Sequence, residues 1–240
     1  MNNIFDRIKY GTETIKDPLS NNEFSYGRII ANENVCTNCG KCMSVCPIDA
    51  ININTSGNGE NIVSVNCKKC IYCRNCVDIC PESVFKMTSD YKMAELELEG
   101  EKLRKKIYNT FKRSLVLRVV DTGSCNACMS ELTAIQNTFY DVSRFGINVA
   151  ASPRHADGLV ITGVVTKNMK EALEKTYYAM AEPKIIIAVG SCAYNGGMFK
   201  EGDGVYDVLN NILPVDLVIP GCPPSPQAII FGLLKLMDRI

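Results

Sequence analysis

Two textures of hydrophobic patterning divide the chain. From residue 114 onward, apolar, β-branched runs recur at 114–120 (SLVLRVV), 158–162 (GLVIT), 184–189 (KIIIAV) and 215–219 (VDLVI). Unbroken runs of this length read as strands covered on both faces. Helical spacing fills the gaps at 129–140, 167–181 and 226–239. That alternation predicts a doubly wound, flavodoxin-like parallel sheet of the α/β class. Before residue 90 the apolar pieces are short; 48–53 and 83–87 read as helical turns leading into hairpin strands.

Between the two textures, residues 92–113 switch from acidic (Glu95, Glu97, Glu99, Glu101) to basic (Lys102, Arg104, Lys105, Lys106, Lys112, Arg113). Leu103, Ile107 and Phe111 recur at every fourth residue, which predicts an amphipathic helix in the second half. A solvated linker helix is the favoured reading; a basic face meeting a membrane-bound partner or anionic lipid is the other. At 240 residues the chain exceeds the usual single-domain size, so two domains are expected. We place an α+β ferredoxin-like domain at 1–90, a charged linker at 91–113 and the α/β domain at 114–240.

Charge narrows the partners. The 26 basic and 26 acidic residues cancel, so no global field favours nucleic acid. No stretch approaches the roughly 20 apolar residues of a membrane span, and the first residues hold no signal-peptide core. A cytoplasmic protein, peripheral on the membrane at most, is the expectation. In that reducing setting, 13 cysteines in close repeats argue for metal thiolates and against disulfides.

Two of those repeats share one spacing. Cys36-x2-Cys39-x2-Cys42-x3-Cys46-Pro47 recurs 34 residues later as Cys70-x2-Cys73-x2-Cys76-x3-Cys80-Pro81, the bacterial ferredoxin run. In two-cluster ferredoxins the fourth cysteine crosses to the other cluster. Cys36, Cys39, Cys42 and Cys80 are therefore assigned to a first [4Fe-4S] cluster, and Cys70, Cys73, Cys76 and Cys46 to a second. Cys67 offers a competing register, but that register would put Val77 where the last ligand belongs. Cys67 is then a spare thiol beside the second cluster. With nine cysteines and little apolar sequence, residues 1–90 form a unit whose core depends on metal.

The other four cysteines fall just past predicted strand ends. Cys125 and Cys128 follow the first strand, Cys192 follows KIIIAVG and Cys222 follows DLVIPG. In open parallel sheets this edge is where ligands bind. Four thiolates there suit zinc or an iron–sulfur cube. Two clusters in the same chain tip the choice to a third [4Fe-4S], since zinc would carry no electrons. Gly123, Gly190, Gly196, Gly197 and Gly221 let backbone approach such a cube. A phosphate loop at GSCAYNGG is disfavoured, because it lacks the GK[ST] ending. Pro223 and Pro224 stiffen the last loop, and Pro226 suits the first turn of the closing helix.

GSCNACMSEL (123–132), YDVSRFGI (140–147), SPRHADGLVITGVVT (152–166), GSCAYNGGMF (190–199) and PVDLVIPGCPPSPQAI (214–229) carry a family resemblance. Together they resemble the small subunit of membrane-bound, complex I-related [NiFe] hydrogenases, formate hydrogenlyase included, and the complex I subunit with the terminal cluster. Residues 25–93 are similar to the two-cluster ferredoxin-like subunit of the same complexes, which makes this chain a fusion. Cys125-x2-Cys128 follows the hydrogenase style, whereas the quinone-reducing subunit carries adjacent cysteines. Ala127, Cys128 and Met129 stand where the family often has Gly-Cys-Asp. The resemblance puts Glu131, Arg154 and His155 at the proton-transfer or partner-facing side of the terminal cluster. Read from the residues alone, Glu131 is a first-turn helix carboxylate, His155 a loop hydrogen-bonder and Asp157 a turn cap.

The resemblance implies an electron-relay subunit with no catalytic residue of its own. Its three [4Fe-4S] clusters would link a soluble donor, of ferredoxin or formate dehydrogenase type, to a separate Ni–Fe large subunit. Membrane or other hydrogenase-complex subunits would complete the assembly. The Ni–Fe site cannot lie here, since only Cys67 remains after three cubes. The alternatives are an electron-transfer module of a complex I-like quinone- or sulfur-reducing oxidoreductase, and a stand-alone carrier.

Overall fold

The computed structural model describes residues 3–11, 14–20, 27–57, 59, 61–97 and 114–240. The predicted linker helix with Leu103, Ile107 and Phe111 lies outside the described residues.

Helix α1 (Asn3–Tyr10) precedes a small two-layer unit built from the cysteine repeat. Its strands are β1 (Ile29–Ala31), β2 (Ile51–Thr55), β3 (Asn61–Val65) and β4 (Phe85–Met87), with short helices α2 (Lys41–Ser44) and α3 (Asn75–Ile79). β2 and β3 form an antiparallel hairpin, and β4 returns to pair antiparallel with β1. The helical turns therefore precede Pro47 and Pro81, inside the cysteine runs, and do not occupy 48–53 or 83–87. Proline at 47 and 81 cannot donate to a helical ladder, so each helix closes before it and the chain continues as strand. The core here is thin: Cys42, Cys70 and Cys76 are buried members of it, beside Ile29, Ile51, Val63, Val84 and Phe85.

The larger unit is a six-stranded sheet. It comprises β5 (Glu95–Leu96), β6 (Leu115–Asp121), β7 (Ile147–Val149), β8 (Gly158–Thr162), β10 (Ile185–Val189) and β12 (Leu217–Ile219), in the order β5-β12-β10-β8-β6-β7. β6, β7, β8, β10 and β12 run parallel, while β5 joins the edge antiparallel to β12. β9 (Val165–Thr166) and β11 (Val205–Asp207) form a separate antiparallel pair. Helices α4 (Ala127–Ala134), α5 (Lys167–Ala179), α6 (Ser191–Asn195) and α7 (Pro226–Leu236) connect or close the strands.

Side chains sort by parity along each central strand. Ile185, Ile187 and Val189 enter the cluster shared with α4 and α7, while Ile186 and Ala188 enter the one holding Leu173 of α5 and Ala193 of α6. Leu217 and Ile219 against Val218 repeat that split. A strand buried on both faces needs apolar residues at both parities, which is why these runs are unbroken. α7 starts where Ser225 Oγ accepts from Ala228 N at 3.3 Å, with Pro226 in the first turn.

Two boundaries differ from the sequence reading. The helix expected over 129–140 runs from Ala127 to Ala134, because Asn137 Oδ1 accepts from Phe139 N (2.9 Å) and Tyr140 N (3.0 Å) and holds the chain in a turn. Residues 91–97, expected as linker, pack as part of the sheet unit. Tyr91 and Ala94 are buried in its core, and Tyr91 meets Phe231 edge-on at 6.1 Å. Lys235 Nζ donates to Ala94 O at 2.8 Å.

Candidate metal centres

Two cysteine sets line two spaces in the small unit. Cys36, Cys39, Cys42 and Cys80 line one space with Ile53, Val84 and Phe85. Cys46, Cys70, Cys73 and Cys76 line another with Ile29, Ala50 and Ile51. Each space thus draws three cysteines from one run and the last from the other. The backbone repeats with the sequence: Asn38 and Tyr72 (φ 54° and 56°), Gly40 and Arg74 (71° and 68°), and Asp49 and Ser83 (48° and 51°) are left-handed pairs 34 residues apart. Main-chain donors repeat too, with Ala50 N reaching Cys46 Sγ at 3.3 Å and Val84 N reaching Cys80 Sγ at 3.4 Å. Tyr72 N adds a 3.3 Å contact to Cys70 Sγ. Such N–H groups stabilise charge on sulfur, so they favour thiolates and reduced clusters.

Cys67 lines neither space. It is half-buried, and burial pushes its thiol up while Arg28 opposes that shift. Its neighbours include the Tyr72 phenol, whose oxygen lies 3.0 Å from Met93 Sδ.

The last four cysteines lie past strand ends on one edge of the large sheet, within electrostatic reach of one another. Cys125 leaves β6, Cys128 is the second residue of α4, Cys192 the second of α6, and Cys222 follows β12. Their electrostatic coupling reports the convergence. Burial pushes Cys128 up to about 12, helped by Cys192, Cys222 and Cys125. Burial likewise pushes Cys192 up to about 11, with Cys222 and Cys125 adding to it. Four neutral thiols this close repel once ionised, so a cationic group has to balance them. Four thiolates are the donor set of an iron–sulfur cube; among the described residues no three such groups stand close enough to hold a single metal ion such as zinc.

One local device recurs in all three sets. The residue after Cys39, Cys73 and Cys125 is left-handed: Gly40 (φ 71°, ψ −5°), Arg74 (68°, −3°) and Asn126 (70°, −7°). Each turn aims the chain into a helix whose second residue is the next cysteine. Cys39, Cys73 and Cys125 are accordingly exposed, and Cys42, Cys76 and Cys128 buried. The shared C-x2-C spacing was the signal for this common turn.

Close backbone approach explains two glycines. A Cβ on Gly190 (φ +89°) would sit 2.5 Å from Cys128 Sγ, and one on Gly197 (φ +50°) 2.8 Å from Cys192 Sγ. Only glycine combines that backbone with that clearance.

The second and third sets adjoin. Cys222 is raised by burial, then by Cys125 and Cys73, so a thiol of the second set lies within electrostatic reach of one of the third. Lys68, in the loop leading to Cys70, pairs with Glu97 at 2.7 Å and Glu95 at 3.0 Å, and lies 5.5 Å from the Tyr194 ring centre on α6. Burial would lower this ammonium, but the two carboxylates outweigh it and hold it above the usual lysine value. Sequence reasoning missed Lys68 and the buried Ser191; the acidic run at Glu95 and Glu97 was the only trace of Lys68, and nothing local marked Ser191.

Glu131 sits on α4 one turn past Cys128, half-buried, and burial raises its carboxyl. It neighbours Tyr140, whose phenol bonds Gln227. Arg154 and His155 are exposed on a 3-10 turn (Pro153–His155) that precedes β8. Two residues separate that turn from the start of β8, where Asp157 N donates to Val116 O of β6 at 2.7 Å. Asp157 does not cap a turn through its side chain; it accepts from Val116 N at 2.8 Å.

The fold and thiol sets define an iron–sulfur protein of the complex I type, and comparison with known proteins agrees. The family model for the NADH ubiquinone oxidoreductase 20 kDa subunit matches residues 125–236, and that for a 4Fe-4S dicluster domain matches 28–106. A probable membrane-bound hydrogenase subunit, mbhJ of Pyrococcus furiosus, is 39% identical over 145 residues, 59% of this chain and 87% of the relative. Formate hydrogenlyase subunit 7 of Escherichia coli is 41% identical over 154 residues, 64% of this chain and 58% of the relative. An NADH-quinone oxidoreductase subunit of Phocaeicola vulgatus is 43% identical over 120 residues, 50% of this chain and 61% of the relative. The chain belongs to the family of the complex I 20 kDa subunit and its related hydrogenase subunits, and carries a 4Fe-4S dicluster domain ahead of that unit.

Proposed function

We propose that this chain is the electron-relay subunit of a multi-subunit [NiFe] hydrogenase related to complex I. What supports it is the presence of three four-cysteine sets, the second joined to the third by the 2.6 Å hydrogen bond from Ser191, next to Cys192, to Cys70 O. Each set would hold one [4Fe-4S] cluster, which supplies one-electron storage at that point. Cys36, Cys39, Cys42 and Cys80 would receive electrons from a soluble ferredoxin- or formate dehydrogenase-type donor. Cys46, Cys70, Cys73 and Cys76 would hold the middle station, and Cys125, Cys128, Cys192 and Cys222 the exit toward a Ni–Fe large subunit. Direction is not fixed by these residues, and the reverse flow uses the same ones.

The β7-β6-β8-β10-β12 order is 2-1-3-4-5 in that unit's own numbering, which supports a flavodoxin-like reading of residues 114–240. The crossed pairing of β1 with β4 around a β2–β3 hairpin supports a ferredoxin-like reading of residues 1–90. Among the described residues no helix is long and apolar enough to cross a membrane. Attachment to the cytoplasmic face through partner subunits fits that and the naming of mbhJ as membrane-bound.

A complex I-like quinone- or sulfur-reducing module is the second reading, favoured by the 43% identity to an NADH-quinone oxidoreductase subunit. Against it stands the Cys125-x2-Cys128 spacing. Anaerobic native co-purification with metal analysis separates the two. About twelve iron and twelve sulfide per chain, with nickel in the large subunit, is the expected result. Full iron without nickel favours the quinone or sulfur reading, and about eight iron plus one zinc removes the third cluster and the relay.

A further inference from the structure

The loop that presents Cys70 is tied to the third cysteine set by one side chain. Ser191 stands between β10 and Cys192 and is 1% exposed. Its hydroxyl donates to Cys70 O at 2.6 Å and lies 3.3 Å from Gly221 O. Its amide donates to Gly221 O at 2.9 Å. One residue therefore joins backbone next to three cysteines: Cys70 of the second set, and Cys192 and Cys222 of the third. The contact spans 121 residues of sequence and crosses between the two units.

We propose that Ser191 is the positioning residue for electron exchange between the second and third cysteine sets. Its hydroxyl fixes how close the Cys70 loop stands to α6 and supplies a bonded route from the Cys70 carbonyl through Ser191 to Cys192. This rests on the reading that both sets hold clusters. The step it serves is a single electron leaving a reduced second cluster and entering an oxidised third one. No bond is made or broken, and the serine proton stays in its hydrogen bond.

A serine that only satisfied a buried carbonyl would matter for folding alone, since an orphaned buried carbonyl costs about 1–3 kcal/mol. The position argues for more. Both bonded neighbours of the hydroxyl lie beside cysteines, and Lys68 already clamps the same loop to Glu95 and Glu97. The loop would stay docked without the hydroxyl, but not at a set distance.

The test uses the full chain, anaerobically purified and loaded, as wild type, Ser191→Ala and Ser191→Thr. Two quantities are read: the electron equilibration rate between clusters after a radiolytic pulse, and the spin–spin broadening between the two reduced clusters. With iron equal to wild type, Ser191→Ala is expected to slow equilibration several-fold and weaken the broadening, while Ser191→Thr restores both. Wild-type rate and broadening in a fully loaded Ser191→Ala overturn the proposal. Should Ser191→Ala lose iron, Ser191→Thr decides: wild-type rate supports the role, and a loaded but slowed Thr variant overturns it. Failure of the underlying reading looks different, as wild type itself would then hold only about eight iron and show no third signal.

Discussion

Gly190 lies directly against Cys128: a Cβ at residue 190 would be 2.5 Å from the Cys128 sulfur, at a backbone φ of +89°. Strand β10 is thus followed by a glycine whose missing side chain makes room for a thiol of the third set. Gly190→Ala has two costs, a backbone (φ 89°, ψ 156°) essentially confined to glycine and worth about 1–3 kcal/mol to any other residue, and displacement of the sulfur itself. On the proposed three-cluster reading, the variant should fold on its two-faced core, keep about eight iron and lose the signal assigned to the third set. Iron analysis with low-temperature EPR checks this. Retention of full iron would show that Cys128 has freedom the packing does not suggest.

Cys67 gives the converse prediction. It lines neither space, although it sits beside Cys70 and Tyr72. Cys67→Ser should keep full iron and lose at most about 1 kcal/mol. Cys42→Ser, by contrast, alters a buried member of the small core and should cost one cluster and much of that unit's stability, because metal binding is folding energy there. Thermal unfolding beside iron content separates the two variants.

Much of this was legible in the sequence, for identifiable reasons. Unbroken runs such as KIIIAV gave the strands because a two-faced strand leaves no polar parity. The 34-residue repeat gave the crossed grouping, since Cys46 and Cys80 sit past the helices, just before the prolines that close them. What stayed hidden depends on long-range contact. The Ser191 hydroxyl meets Cys70 across 121 residues, and no local pattern encodes that. Tyr91 and Leu96 read as linker because their partners, Phe231 and Leu217, lie far along the chain.

In the metal-free chain, burial pushes Cys128 up to about 12 and Cys192 up to about 11. Unfolding returns both to water, where a thiol ionises near about 8.5. The folded values are raised, so this stability is intact below about pH 8.5 and is lost as pH climbs toward the folded values. Urea midpoints of metal-free protein should be flat around about pH 7 and fall steeply by about pH 10.5. The same sign makes cluster loading release protons, since ligating thiols must ionise. Loading followed in weakly buffered solution should acidify it.

Lys68 carries the last prediction. It is the one described side chain of the Cys67–Cys70 segment seen to pair with β5 and the residue after it, through Glu95 at 3.0 Å and Glu97 at 2.7 Å, and it does so with 20% side-chain exposure. Its ammonium is held above the usual lysine value, so the pairing is complete below about pH 10 and is lost as pH rises beyond it. Lys68→Ala removes the cation and leaves two acids facing each other near Tyr194, at a cost on the order of 1 kcal/mol. Glu97→Gln keeps one partner and should cost less. Because the acids are partly exposed, added salt should narrow the gap between Lys68→Ala and wild type. Cluster content should not change, since Lys68 lines neither cysteine space. Urea unfolding of the loaded chain at low and high salt is the measurement. A Lys68→Ala deficit that ignores salt would mean that packing over the Tyr194 ring, and not the ion pairs, docks the small unit on the sheet.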